Sequence, residues 1–73
     1  MAKAVKIYSD KDSIGRPFEI AQRDDGKWFH REYRYNGYGM GWSKWISYMY
    51  HTDWLESLRE VSPKGIRLPN PQV

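Results

Sequence analysis

Cysteine is absent from the 73 residues of this chain. Its absence excludes disulfides, thiolate metal ligands and cysteine nucleophiles, and it fits a reducing, intracellular setting. The first ten residues lack the apolar segment of a signal peptide, and no apolar run approaches the length of a membrane span. We therefore expect a cytoplasmic protein that does not act at a membrane.

Aliphatic side chains are scarce, whereas Phe, Trp and Tyr make up 16% of the residues. A domain this short buries only about 60% of its unfolded surface, and each buried ring removes roughly 150–250 Å² from water. We therefore expect some rings to replace the missing aliphatic core. Nine of the twelve rings lie between positions 28 and 50, which is more than one small core needs and predicts a ring-rich surface.

Acidic residues are nearly absent from the centre of the chain. Glu32 is the only acid between positions 26 and 52, against the basic residues Lys27, Arg31, Arg34 and Lys44. The net charge of the whole chain is only +3, so the distribution of charge says more than its sum. We call residues 26–52 the central flank. Its basic residues would assist association with an anionic partner.

The sequence contains no pattern that carries enzymatic chemistry. His30 and His51 lack the spacing of metal ligands and would need a carboxylate such as Asp53 to complete a site. The glycines at 37, 39 and 41 lack the following helix and the Lys-Ser/Thr pair of a phosphate-binding loop. We therefore expect a non-enzymatic protein with no catalytic residues, no metal site and no cofactor.

Alternation of apolar and polar residues predicts an antiparallel sheet. Asp25-Gly26 and Asn36-Gly37 are favoured hairpin turns because both tolerate positive φ angles. The predicted strands are residues 4–8, 18–23, 27–35 and 41–50, with a brief edge strand at 66–68.

A short helix is predicted within residues 51–65, where apolar residues recur at helical spacing. Asp53 and Glu56 have the spacing of a capping box, and Ser62-Pro63 would end the helix. The apolar stripe consists of Trp54, Leu55, Leu58 and Val61.

The predicted fold class is α+β. We expect a small three- to four-stranded antiparallel meander with one short C-terminal helix packed on one face, which leaves the other face uncovered. Residues 1–68 would form a single binding domain, and residues 69–73, with two prolines, an extended and flexible C-terminal tail.

Two partner classes remain open for the central flank. Bases stack on aromatic side chains at about 1–3 kcal/mol per base, and protein interfaces are also enriched in Trp, Tyr, Met and Arg. The segment GKWFHREYRYNG, in a three-stranded sheet followed by a helix, resembles the arm-type DNA-binding domains of phage integrases over residues 18–61. That resemblance implies a nucleic-acid-binding module whose sheet enters the major groove.

A second resemblance spans the whole chain through its size and composition. A cysteine-free, aromatic-rich, mildly basic chain of 73 residues resembles the small regulators, of the Xanthomonas phage type, that lytic phages direct against host bacterial RNA polymerase. It implies a monomer that binds the polymerase in the host cytoplasm, inhibits initiation and modulates termination. A protein partner of this kind is the preferred prediction, and nucleic acid is the alternative.

The residues expected to contact a partner belong to two regions. One is the edge of the first strand, which could add to a partner's sheet, and the other is the central flank. Together they are Lys3, Val5, Lys6, Ile7, Lys27, Trp28, His30, Arg31, Arg34, Tyr38, Trp42 and Lys44.

Overall fold

Short strands dominate the computed structural model, which describes residues 2–71. The strands are β1 (Ala2–Lys11), β2 (Pro17–Arg23), β3 (Trp28–Tyr35), β4 (Met40–Trp42), β5 (Ile46–Ser47), β6 (Glu60–Val61) and β7 (Arg67–Leu68). One 3-10 helix, Asp53–Ser57, lies between β5 and β6. Within residues 2–71 this five-residue segment is the longest helical element, and no helix there could span a membrane.

Strands β1 to β4 form an antiparallel meander, and the strand order is β4-β3-β2-β1-β6. β5 pairs with β3, and β7 pairs with β1. The hairpin turns after β2 and β3 contain Gly26 at φ 92° and Gly37 at φ 98°. Glycine adopts these positive angles without the steric cost that a Cβ atom would bring.

Strand β1 is paired along both of its edges. It bonds to β2 on one side, and to β7 near its start and β6 near its middle on the other. The register with β2 shifts between Ala4 and Lys6. Such a bulge reverses the alternation of side chains, so that Ala4 and Ile7 join the same buried cluster although three positions separate them.

The sheet carries a buried cluster on each face. The first cluster is covered by the C-terminal strand and by Trp45, and the second by the 3-10 helix; adjacent residues Ile7 and Tyr8 lie in different clusters because side chains alternate along a strand. The first cluster consists of Ala4, Ile7, Ala21, Phe29 and Leu68. The second consists of Tyr8, Ile20 and Leu55.

The predicted α+β class is wrong, because residues 51–65 contain a 3-10 helix and a strand in place of an α-helix. Leu58 is already extended at ψ 161°, and Val61 lies opposite Ile7 in β1. A helix this short gains little from its own hydrogen bonds, whereas pairing with β1 satisfies the same backbone and extends the sheet. The predicted capping box is also absent, since Thr52 caps the 3-10 helix without a side-chain hydrogen bond.

The predicted long strand over residues 41–50 is divided into β4 and β5. β3 pairs Tyr33 with Trp42 in β4 but Phe29 with Ser47 in β5, so one extra residue lies between the two ladders. At the break, the Ser43 N–H donates to the Glu32 carbonyl at 2.8 Å, and the Glu32 N–H donates to Ser43 Oγ at 3.0 Å. The predicted uncovered face is also wrong, because the C-terminal strand and the 3-10 helix pack on opposite faces.

Arg23, which is only 5% exposed, forms a hydrogen bond to the start of the predicted tail. Its Nε and Nη2 donate to the two carboxylate oxygens of Asp25 at 2.8 and 2.7 Å, and its Nη1 donates to the Pro69 carbonyl at 2.7 Å. The guanidinium also lies 4.9 Å from the centre of the Phe29 ring. Residues 1, 72 and 73 lie outside the described part of the chain. The domain over 1–68 and the flexible tail over 69–73 both stay predictions.

We expect Leu55→Ala to lower the free energy of unfolding by about 2–5 kcal/mol, because it removes a buried side chain that anchors the 3-10 helix. Glu56→Ala, at an exposed position of the same helix, should change it by less than about 0.5 kcal/mol. Urea denaturation measures both. Equal unfolding midpoints for the two variants would show that the 3-10 helix does not support the second cluster.

Stability should depend on pH through Asp25. Hydrogen bonds from Arg23 lower the pKa of Asp25 from 3.8 to about 2. The folded protein therefore binds this proton less readily than the unfolded chain, and the stabilisation present at neutral pH is lost as pH falls from about 4 toward 2. Asp25→Asn should flatten the stability profile over that range in urea titrations. The neighbouring exposed Asp24→Asn is the control, and a wild-type profile in Asp25→Asn would contradict the pairing.

Candidate binding surfaces

The β3–β4 hairpin displays four large side chains on one face. Its register places Tyr33 opposite Trp42 and Tyr35 opposite Met40, and the Tyr33 and Trp42 rings meet edge to face with centres 5.5 Å apart. Tyr35, Met40 and Trp42 are exposed, and Tyr38 at the tip of the turn is 100% exposed. We call Tyr33, Tyr35, Tyr38, Met40 and Trp42 the hairpin surface.

Arg31 supports the hairpin surface from below. Its guanidinium carbon lies 4.5 Å from the centres of both the Trp42 and Trp45 rings, and its Nε donates to a Glu19 carboxylate oxygen at 2.7 Å. Both partners of this ion pair are largely buried. Arg31, predicted as a partner contact, therefore has its charge balanced and its plane held between two rings.

The other basic residues of the predicted flank divide into two groups. Arg34 pairs with Glu32 at 3.6 Å, and exposed pairs of this kind are weak. Lys27 and Lys44 are exposed, and neither forms a salt bridge within residues 2–71. The flank thus offers two unpaired cations in place of the four that the sequence indicates.

The first strand does not provide the open edge that was predicted for it. β1 is already paired on both sides, and Ile7 is buried in the first cluster. Lys3 and Val5 are exposed, and the Lys6 ammonium lies 5.8 Å from the Tyr8 ring. β4, at the end of the strand order, takes the edge position instead.

An aromatic cleft opens on the face opposite the hairpin surface. The four rings that define it come from β2, from the segment after β5 and from the 3-10 helix: Phe18, Tyr48, Tyr50 and Trp54. Its volume is about 210 Å³, and Asp12, Ile20, His30 and Glu32 also line it. Alternation along β3 separates the two surfaces, because His30 and Glu32 point to one face and Arg31 and Tyr33 to the other.

Two polar side-chain groups of the aromatic cleft, those of Trp54 and Tyr48, are bonded to each other. The Trp54 indole N–H donates to Tyr48 Oη at 2.8 Å and to the His51 carbonyl at 2.9 Å, and the Tyr48 hydroxyl donates to the same carbonyl at 3.0 Å. The His30 ring meets Tyr48 edge to face at 5.9 Å. Across residues 2–71 no three His, Asp or Glu side chains are grouped as a metal site requires.

Trp28, which was predicted to contact a partner, is half-buried and stacks on Tyr8 at 6.2 Å, so its ring belongs mainly to the second cluster. Sequence reasoning missed Tyr35 and Met40, which lie opposite each other across a connection of four residues, 36–39. It also missed the aromatic cleft, whose rings are brought together only by the fold.

No family model, no characterised protein and no solved structure matches this chain. The two surfaces are therefore the structural basis of the functional inference.

Arg31→Lys should destabilise the protein by about 1–2 kcal/mol, because an ammonium cannot keep the planar contact with two Trp rings while it bonds to Glu19. Arg34→Lys, in the exposed pair with Glu32, is the matched control and should change stability by less than about 0.5 kcal/mol. Urea denaturation gives both values. Indistinguishable losses would mean that the stacked arrangement contributes nothing beyond charge.

Proposed function

We propose that this chain is a non-enzymatic binding protein that docks its hairpin surface on a protein partner, and that the partner is bacterial RNA polymerase. The observation that carries the proposal is the row of exposed Tyr, Met and Trp side chains at positions 35, 38, 40 and 42. Aromatic residues held on a rigid element are the side chains that most often dominate binding energy at protein interfaces.

The charges around the hairpin surface favour a protein over a nucleic acid. Arg31 and Glu19 neutralise each other beneath the rings, and Arg34 is paired with Glu32. A protein that follows a phosphate backbone needs unpaired cations along its path. Apolar rings above a neutral ion pair suit the dry centre of a protein interface, which is depleted in charge.

The choice of polymerase rests on the resemblance of the chain to small phage regulators in size and composition. On that basis the protein acts as a monomer in the cytoplasm of the host cell, inhibits initiation and modulates termination. The alternative is a nucleic-acid-binding module, in which the rings of Tyr35, Tyr38 and Trp42 would stack on bases.

Binding to purified bacterial RNA polymerase tests the proposal directly. We expect the immobilised protein to retain the polymerase after nuclease treatment, and Tyr35→Ser with Tyr38→Ser to weaken retention by about tenfold or more, because exposed anchors are removed without loss of core. Tyr50→Ser, at an exposed position of the aromatic cleft, is the matched control and should bind normally. Failure to retain polymerase would reject this partner, and retention that nuclease abolishes would favour nucleic acid.

The salt dependence of DNA binding separates the two classes. With Lys27 and Lys44 as the unpaired cations of the central flank, the logarithm of any duplex affinity should fall with the logarithm of salt concentration with a slope of about −1.8 or shallower. Fluorescence anisotropy with a labelled duplex measures the slope. A slope of about −3.6, reduced to about −1.8 when Lys27→Ala and Lys44→Ala are combined, would support the nucleic-acid alternative.

A further inference from the structure

We infer that the aromatic cleft binds a methylated ammonium group. The cleft lies on the opposite face of β3 from the hairpin surface, so the inference does not depend on the proposed function. It follows from three properties of the cleft, namely the angles between its rings, the state of its polar atoms and the position of charge around it.

The rings of the cleft are inclined to one another and enclose a concave space. Trp54 makes angles of 40° with Phe18 and 61° with Tyr48, and Tyr48 makes 66° with Tyr50. The distances between the ring centres are 5.4 to 6.5 Å. A cation held against the exposed faces of rings that line one cleft is attracted by their electron-rich surfaces.

The Trp54 and Tyr48 side chains of the cleft already have hydrogen-bond partners. The Trp54 N–H and the Tyr48 hydroxyl are bonded to each other and to the His51 carbonyl. A primary ammonium or a guanidinium would lose its water among the rings and would find acceptors only in Asp12 and Glu32, which is costly. A methylated ammonium carries its charge on an apolar surface and needs only ring faces and a negative potential.

The charge at the cleft favours a cation over an anion. Asp12 and Glu32 line the cleft, whereas their exposed partners Arg16 and Arg34 do not. Arg31 contributes to the wall, but its guanidinium is bonded to Glu19 on the other face. A phosphate-bearing ligand such as a nucleotide would meet two carboxylates, so the same rings are unfavourable for stacking bases of a nucleic acid.

Titration with choline chloride, observed through the indole N–H signal of Trp54 by nuclear magnetic resonance, tests the inference. The comparison ligand is 3,3-dimethylbutan-1-ol, which has the same shape without the charge. We expect choline to bind about tenfold more tightly than the alcohol. Equal affinities would reduce the cleft to a hydrophobic surface and overturn the inference, as would the absence of any shift with choline.

Variants locate the site and keep the test independent of folding. Tyr50→Leu should weaken choline binding several-fold, because it removes one ring of the cleft at a position that is 77% exposed. Tyr35→Leu, at a similarly exposed position on the hairpin surface, is the matched control and should bind choline as the wild type does. Glu32→Gln should weaken choline and leave the alcohol unchanged. Choline binding that is insensitive to both Tyr50→Leu and Glu32→Gln would place the site elsewhere and overturn the inference.

The source of the methylated ammonium is distinguished by a second ligand. N-acetyl-Nε-trimethyl-lysine amide carries the same cation on a protein side chain. Tighter binding of this amide than of choline identifies a modified lysine as the ligand, and the reverse order identifies a free alkylammonium compound. A loss of choline binding in Tyr50→Leu with normal binding to the polymerase would leave the proposed function intact, because the two surfaces lie on opposite faces.

Discussion

The pairing of β1 on both of its edges is the constraint on which the rest of the structure depends. This strand connects the meander on one side with β6 and β7 on the other. Its neighbouring residues Ile7 and Tyr8 belong to the buried clusters on opposite faces. A chain without disulfides and with few aliphatic residues thus obtains two small clusters from one sheet. β7, which pairs with β1, completes the first cluster, and Leu55 of the 3-10 helix completes the second.

The same alternation gives the protein two surfaces of different character. Along β3, Arg31 and Tyr33 support the hairpin surface, whereas His30 and Glu32 border the aromatic cleft. Many of the rings serve the core and a surface together: Trp45 packs on the first cluster while it covers the Arg31 guanidinium. A single aromatic side chain can therefore pack in the core and contribute to a surface at the same time.

The sequence predicts those parts of the structure that depend on nearby residues. Strand alternation and the Asp25-Gly26 and Asn36-Gly37 turns are local, and these hairpins are present. The helix prediction over 51–65 was wrong because the competing interaction, the pairing of Val61 with Ile7, joins residues far apart in the chain. Ion pairs such as Arg31 with Glu19, and the convergence of Phe18 with Trp54, likewise depend on the tertiary arrangement and leave no local pattern.

The strands that complete the second edge of β1 are β6 and β7, which lie far along the chain. This order affects how β1 becomes structured during synthesis. β1 leaves the ribosome before β6 and β7, and its second edge is completed only by residues 60–68. Pairings between distant segments slow folding because the intervening loop must close before they form. Until then this edge of the nascent chain is an open template for other strands. Lys3 and Lys6, placed along it, are the kind of charged residues that discourage such misassembly.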